Sequence, residues 1–262
     1  MPRPPERSQA GRRLVLHVST RQDVEAELEV SLDLASAMDT ELTTFFVVDE
    51  ASIAACTLPF PTVIGFSGGE LDVSDAQLDA ALQREARLCR QLVAAAAERS
   101  SVSWSFETLR GRAPAPLRPP ADERSMGDIL VFRLDRLGLS LAELVAAAQE
   151  LTPRRGAVML VPERPARRSG GLVTIDRLPE PSESLARFAA SLAAAMGTRA
   201  SHAIVPDTSV AAQAASRIGE ARLLLASLRS SLLADLAALR YLLSTLRTPL
   251  LLVAEDDPDD DA

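Results

Sequence analysis

Short apolar runs alternate with stretches of helical period along this chain, and the same order restarts after residue 170. The first run, Leu14 to Val18, precedes a stretch that places Val24, Leu28 and Leu32 on one helical face. The other predicted strands are 42–48, 102–109, 129–132, 157–161, 172–175, 203–205, 221–226 and 250–253, and the other predicted helices are 78–99, 139–151, 184–196 and 232–246. This β-α-β order predicts a mostly parallel sheet with helices on both faces.

The restart divides the chain into two α/β domains and three connecting or terminal segments. The second domain is predicted to be shorter, with four strands where the first has five, because one helix and one strand are missing between residues 206 and 221. The terminal segments are predicted to be disordered because one is basic and proline-rich and the other carries six acidic residues. The predicted segments are a basic N-terminus 1–13, a first domain 14–161, a linker 162–170, a second domain 171–254 and an acidic tail 255–262.

Composition excludes several functional classes. The chain carries 28 basic against 36 acidic residues, a net charge of −8, and no basic stripe, which argues against nucleic-acid binding. All basic residues are arginine, so neither a Schiff-base lysine nor a P-loop lysine is present. Cys56 and Cys89 stand alone, which argues against a disulfide framework. No secretory signal pattern and no apolar run of about 18 residues occurs, so we expect a cytoplasmic protein without membrane insertion.

Three segments carry a family resemblance. Leu172 to Asp176 is an apolar strand that ends in aspartate, Thr248 to Val253 combines a proline turn with an apolar strand, and Gly156 to Glu163 has the same closing pattern. In these features the chain resembles the universal stress protein family in its tandem form. The resemblance implies two tandem parallel-sheet sandwiches of Rossmann-like α/β fold. It also implies that strands 157–161 and 250–253 pair in an intramolecular pseudo-dimer, and a homodimer stays open.

The family's nucleotide loop is incomplete here. ATP-binding members hold the triphosphate on a glycine-rich loop after the fourth strand, because glycine lets backbone N–H groups approach phosphate closely. The corresponding segment 133–138 keeps one glycine, and segment 229–231 of the second half keeps none. The family's adenine-side aspartate corresponds to Val18 in the first half and to Asp176 in the second. The resemblance therefore implies no resident cofactor, with ATP or another adenine nucleotide bound weakly or not at all. The candidate residual nucleotide or phosphate site comprises Asp176, Arg133, Arg136 and Gly138.

Other candidate motifs favour ordinary structural roles. Segment 67–72 resembles the pyrophosphate loop of PP-loop hydrolases, but its spacing differs by one residue and it does not follow the first strand, so a surface loop is predicted. His17 and His202 lie in predicted strands without carboxylate or cysteine at ligand spacing, which favours core roles over a metal site. Cys89 is predicted to fill apolar space. No nucleophile, base and oxyanion donor combine, which argues against an enzyme.

Two functional hypotheses follow. The first is a non-enzymatic stress-response or signalling protein that regulates through an unidentified protein partner or through small-ligand sensing. Segment 57–72, with Phe60, Ile64 and Phe66, supplies apolar anchors for such a partner unless these side chains fold back onto the first domain. The alternative is an adenine-nucleotide-binding universal stress protein with weak ATPase activity.

Overall fold

The computed structural model describes residues 13–49, 63–64, 70–71, 75–111, 128–133, 141–142, 145–146, 148, 156–166, 169–206 and 218–254. The first half contains β1 (Arg13–Val18), α1 (Arg21–Ala37), β2 (Glu41–Asp49), β3 (Val63–Ile64), β4 (Glu70–Leu71), α2 (Asp75–Ser100), β5 (Trp104–Gly111), β6 (Ile129–Arg133) and β7 (Ala157–Val161). The second half contains β8 (Leu172–Asp176), α3 (Glu183–Ala195), β9 (Ala200–Ile204), β10 (Leu223–Ser227), a 3-10 turn (Ser231–Ala234), α4 (Leu236–Leu246) and β11 (Leu250–Val253). Segment 57–69, predicted as a loop, lies outside the described residues apart from β3, which pairs with β4.

Nine of these strands form a single sheet in the order β5-β2-β1-β6-β7-β11-β10-β8-β9. All neighbours are parallel except β7 and β11, which pair antiparallel with Leu251 opposite Met159. The α/β prediction and the predicted pairing of the two closing strands are confirmed. The two halves consequently share one sheet, and their strands run in opposite directions across the β7–β11 junction.

The second half contributes four strands to this sheet among the residues that the structure describes, as the sequence predicts. In the first half β2 pairs on its outer side with β5 over eight residues. The corresponding outer side of β9 has no partner strand in the described part of the chain. The sheet therefore ends at β5 on one side and at β9 on the other.

Two apolar layers cover the two faces of the sheet, because successive strand residues point to opposite faces. Leu14 and Leu16 of β1 pack in a cluster with buried residues of α1, α2 and α3. Val15, between them, packs in the opposite cluster with α4 and with the helical residues Val145 and Ala148. Both clusters contain residues of both halves, so the core is continuous across the β7–β11 junction.

Capping residues set the helix boundaries. Gly197 has a φ of 63° just after α3, which confirms its predicted role as a helix stop. The helix predicted over 232–246 is instead divided, because the Asp235 side chain accepts a hydrogen bond from Ala238 N at 3.0 Å and caps α4. The strand predicted at 203–205 begins earlier, at Ala200, because β9 follows the register of β8.

Gly170 lies where two backbone segments leave no room for a side chain. A Cβ atom there would stand 1.8 Å from the carbonyl oxygen of Glu220, just before β10. Gly170→Ala should therefore lower the free energy of unfolding by about 1–3 kcal/mol in urea titrations. Gly111→Ala is the matched control, since nothing lies within 4 Å of its added Cβ. Equal effects of the two substitutions would contradict the steric explanation.

Candidate functional site

Ligands of open parallel sheets bind beyond the carboxyl ends of the strands, at the point where the strand order reverses. In the first half this point lies between β1 and β6, because the chain continues from β1 to β2 on one side and returns to β6 on the other. In the second half it lies between β8 and β10. We call these the first and the second crevice.

The first crevice holds a buried ion pair. Arg133 Nη1, at the end of β6, donates to Asp23 Oδ1 in the first turn of α1 at 3.0 Å. The two side chains are only 8% and 3% exposed. Asp23 Oδ2 accepts hydrogen bonds from Thr20 N at 2.7 Å and from Ser19 N and Ser19 Oγ, both at 3.1 Å. The carboxylate thus joins the turn after β1 to the end of β6.

The hydrogen-bond donors of the first crevice bind a carboxylate of the protein, that of Asp23. Two backbone N–H groups, a hydroxyl and a guanidinium surround the Asp23 carboxylate in the way that such groups surround a bound anion. Val18, which ends β1 beside this crevice, is buried in the core. A nucleotide phosphate would meet the Asp23 negative charge at this place.

The second crevice holds the aspartate to which the family resemblance points. Asp176, the last residue of β8, is buried and its Oδ1 accepts hydrogen bonds from Arg177 N at 2.6 Å and from Ser230 Oγ at 3.0 Å. Ser230 follows β10 and its hydroxyl also accepts from Leu232 N at 3.2 Å, at the start of the 3-10 turn. The crevice is bridged directly by Asp176 and Ser230.

An ion pair borders this bridge. Arg177 Nη2 donates to Asp235 Oδ2 at 3.0 Å, and the two side chains are 33% and 19% exposed. The other oxygen of Asp235 caps α4, so the pair links the end of β8 to the start of that helix. The second crevice therefore combines two carboxylates, one hydroxyl and one guanidinium: Asp176 is paired with Ser230, and Asp235 with Arg177.

Two of the predicted site residues, Arg133 and Asp176, lie in different crevices. Arg133 ends β6 and Asp176 ends β8. Because β7 and β11 pair antiparallel, the carboxyl ends of β6 and β8 point in opposite directions. Four strand spacings of about 4.8 Å also separate the two strands laterally, roughly 19 Å in all. Arg136 and Gly138 lie outside the described residues. Arg133 and Asp176 therefore lie apart, and a residual nucleotide or phosphate site stays a prediction.

The two histidines lie in strands, as the sequence predicts. The His17 ring, in β1, lies between Phe45 and Phe132, with ring centroids 5.7 and 5.9 Å away. His202, in β9, contacts Thr174 Oγ1 through Nδ1 at 2.9 Å and the Leu178 carbonyl oxygen through Nε2 at 3.0 Å. Each imidazole has an evident structural environment.

Cys89 is completely buried in α2, which confirms its predicted apolar role. Burial raises the pKa of its thiol from 9.0 to about 12, and the carboxylates of Glu85 and Asp23 act in the same direction. A shift of this size lowers the thiolate fraction at neutral pH by about a thousandfold. In a Cys56→Ser background, a thiol reagent should label Cys89 only after denaturant unfolds the chain. Rapid labelling of the native protein would contradict this prediction.

Sequence reasoning overlooked Asp23 and Asp235. Asp23 carries a recognisable signal, because Thr20 and Asp23 have the spacing of a capping box and the structure contains both of its hydrogen bonds. Asp235 interrupts an otherwise apolar helical pattern, which is typical of an N-cap. Both residues were missed because the helices were predicted from apolar periodicity alone, which does not identify capping side chains.

Within the described residues, no group of three or more His, Cys, Asp and Glu side chains is placed to hold a metal ion. In the same part of the chain, no helix combines the length and the apolar character needed to cross a membrane.

The strand order and the two crevices define an α/β fold of the universal stress protein type. A solved universal stress protein from Archaeoglobus fulgidus is similar at 9% identity and a TM-score of 0.54, over 94% of this chain and 97% of that chain. The cytoplasmic domain of a prokaryotic cation chloride cotransporter is similar at 12% identity and a TM-score of 0.48, over 92% and 95% of the two chains. A Pseudomonas aeruginosa protein of unknown function is similar at 10% identity and a TM-score of 0.44, over 95% and 94%. No protein-family model matches the chain, and no curated protein matches it.

Proposed function

We propose that this chain is a non-enzymatic regulatory protein of stress response or signalling that acts in the cytoplasm through protein contacts or small-ligand sensing. The observation that carries the proposal is the Asp23–Arg133 pair, which places a buried carboxylate among the donors of the first crevice. Neither crevice combines a nucleophile with a base and an oxyanion donor in the described residues. A folded protein of this kind is better suited to binding partners through its surface than to catalysis in a pocket.

Weak ATP binding is the first test of this proposal. Calorimetric titration of the full chain with magnesium ATP should give a dissociation constant in the millimolar range or weaker, no more than about 4 kcal/mol of binding free energy. Mass spectrometry of protein purified without added nucleotide should detect no stoichiometric nucleotide.

The second crevice favours the alternative, an adenine-nucleotide-binding protein with weak ATPase activity. By the family resemblance Asp176 corresponds to the adenine-side aspartate, and its Oδ2 accepts no hydrogen bond in the described part of the chain. Micromolar ATP binding that Asp176→Ala abolishes would establish this alternative and overturn the first proposal. Arg229→Ala, in the following loop, tests whether a phosphate contact accompanies it.

The protein-contact part needs its own experiment. Phe60 and Phe66 lie outside the described residues, so their role stays a proposal from the sequence. Wild-type protein should capture a partner that a variant lacking residues 57–72 does not, while circular dichroism shows that the variant still folds. Identical partners for both proteins would remove the support for this segment as the contact surface.

A further inference from the structure

We propose that β9 is a self-association edge, at which a second copy of this chain pairs antiparallel to β9 and extends the sheet. In parallel pairing with β8, alternate residues of β9 direct their backbone groups to β8, as Val205 N does toward Asp176 O at 2.7 Å. The alternate residues Ala200, His202 and Ile204 therefore direct their N–H and C=O groups away from β8. A strand of a second copy can form backbone hydrogen bonds with these outward N–H and C=O groups.

The two outer strands of the sheet differ in how they are protected. Edge strands commonly avoid unwanted pairing by carrying charges or proline. β5 carries the exposed charged residues Glu107 and Arg110. β9, with the sequence Ala-Ser-His-Ala-Ile, carries neither a formal charge of the Asp, Glu, Lys or Arg type nor a proline, and three of its residues are exposed.

Apolar surface accompanies the open edge. Ile204, at the end of β9, is 45% exposed, and Leu178 is 60% exposed. The hydrogen bond from His202 Nε2 to the Leu178 carbonyl holds the segment after β8 beside the carboxyl end of β9. Burial of these side chains against a second copy would stabilise the association.

Charge at the two ends of β9 identifies the occupant. Arg199, exposed, precedes the strand, and Glu180, also exposed, lies two residues beyond Leu178, whose carbonyl oxygen is hydrogen-bonded to His202. Neither side chain forms an ion pair in the described part of the chain. Antiparallel pairing about a two-fold axis brings the start of one β9 next to the end of the other, so Arg199 of each copy meets Glu180 of its partner. The edge is thus electrostatically complementary to itself.

Charge reversal tests this arrangement in the full-length chain. Sedimentation velocity over a wide concentration range should show a dimer that dissociates on dilution. Arg199→Glu and Glu180→Arg should each raise the dissociation constant about tenfold or more, because each places like charges opposite one another. The double variant Arg199→Glu with Glu180→Arg should restore the dimer. Glu107→Arg, a charge reversal on β5, is the matched control and should leave the dissociation constant unchanged.

Thermal melting monitored by circular dichroism checks that all variants fold, as expected for exposed residues. A wild type that stays monomeric at the highest concentration would overturn the proposal, as would a dimer that is insensitive to both single reversals. Either result would leave the β9 edge to a different occupant, such as an extended peptide of another protein.

Discussion

Replacing Leu251 by aspartate is expected to lower the free energy of unfolding by about 4 kcal/mol or more. Leu251 is fully buried in β11, opposite Met159 of β7, at the only antiparallel contact of the nine-stranded sheet. An aspartate there would lie in the apolar layer shared by both halves. The loss should affect both halves together because the core is continuous across the junction.

Urea denaturation followed by circular dichroism measures this loss, and Leu178→Asp is the control. Leu178 is 60% exposed, so at a protein concentration at which the chain is monomeric the same substitution there should change the unfolding free energy by no more than about 0.5 kcal/mol. Two separate unfolding transitions in the Leu251→Asp protein would contradict the shared core. An unchanged urea midpoint would contradict the burial of β11 itself.

Asp23→Ala should lower the free energy of unfolding by about 3–5 kcal/mol, because it leaves the Arg133 guanidinium in a buried place without its carboxylate. The same change removes the acceptor of the Ser19 and Thr20 backbone N–H groups. Loss of the ion pair and loss of this acceptor both lower the free energy of unfolding, and both occur in the first crevice. The measurement is again a urea titration at neutral pH.

The exposed pair between Arg110 and Asp79 supplies the control for that substitution. Its side chains are 58% and 43% exposed, so solvent screens their attraction. Asp79→Ala should therefore cost no more than about 1 kcal/mol. Similar costs for Asp23→Ala and Asp79→Ala would show that the buried pair contributes less than its burial implies.

The periodicity of the sequence predicted the fold well where strands are apolar and closely bounded. The strands Ala157–Val161 and Leu250–Val253 coincide with the prediction at both ends. β9 was misplaced because its residues are small and polar, and its position is fixed by pairing with β8 instead of by apolar pattern. The divided helix near Asp235 shows how one capping side chain overrides a continuous apolar period.

The site was harder to predict because it depends on strand direction. Sequence shows that Arg133 and Asp176 each follow a buried strand, but it does not show that the two sets of strands run in opposite directions. Asp176 and the loop residue Ser230 belong to one half, and the structure places them 3.0 Å apart. Strand direction therefore decides which of these polar residues lie together, and apolar periodicity does not reveal it.

The β7–β11 pairing has a consequence for how the halves can change over time. Because both strands belong to one polypeptide, each half meets the other at the effective concentration of a tethered partner, which is millimolar for short connections. Dilution cannot separate them, and a mutation in one half is not copied into the other as it would be in a homodimer. The first half contributes five strands and its β1 ends at Val18, whereas the second contributes four strands and its β8 ends at Asp176. Covalent tethering thus permits the two halves to differ in strand number and in the residues that end their strands.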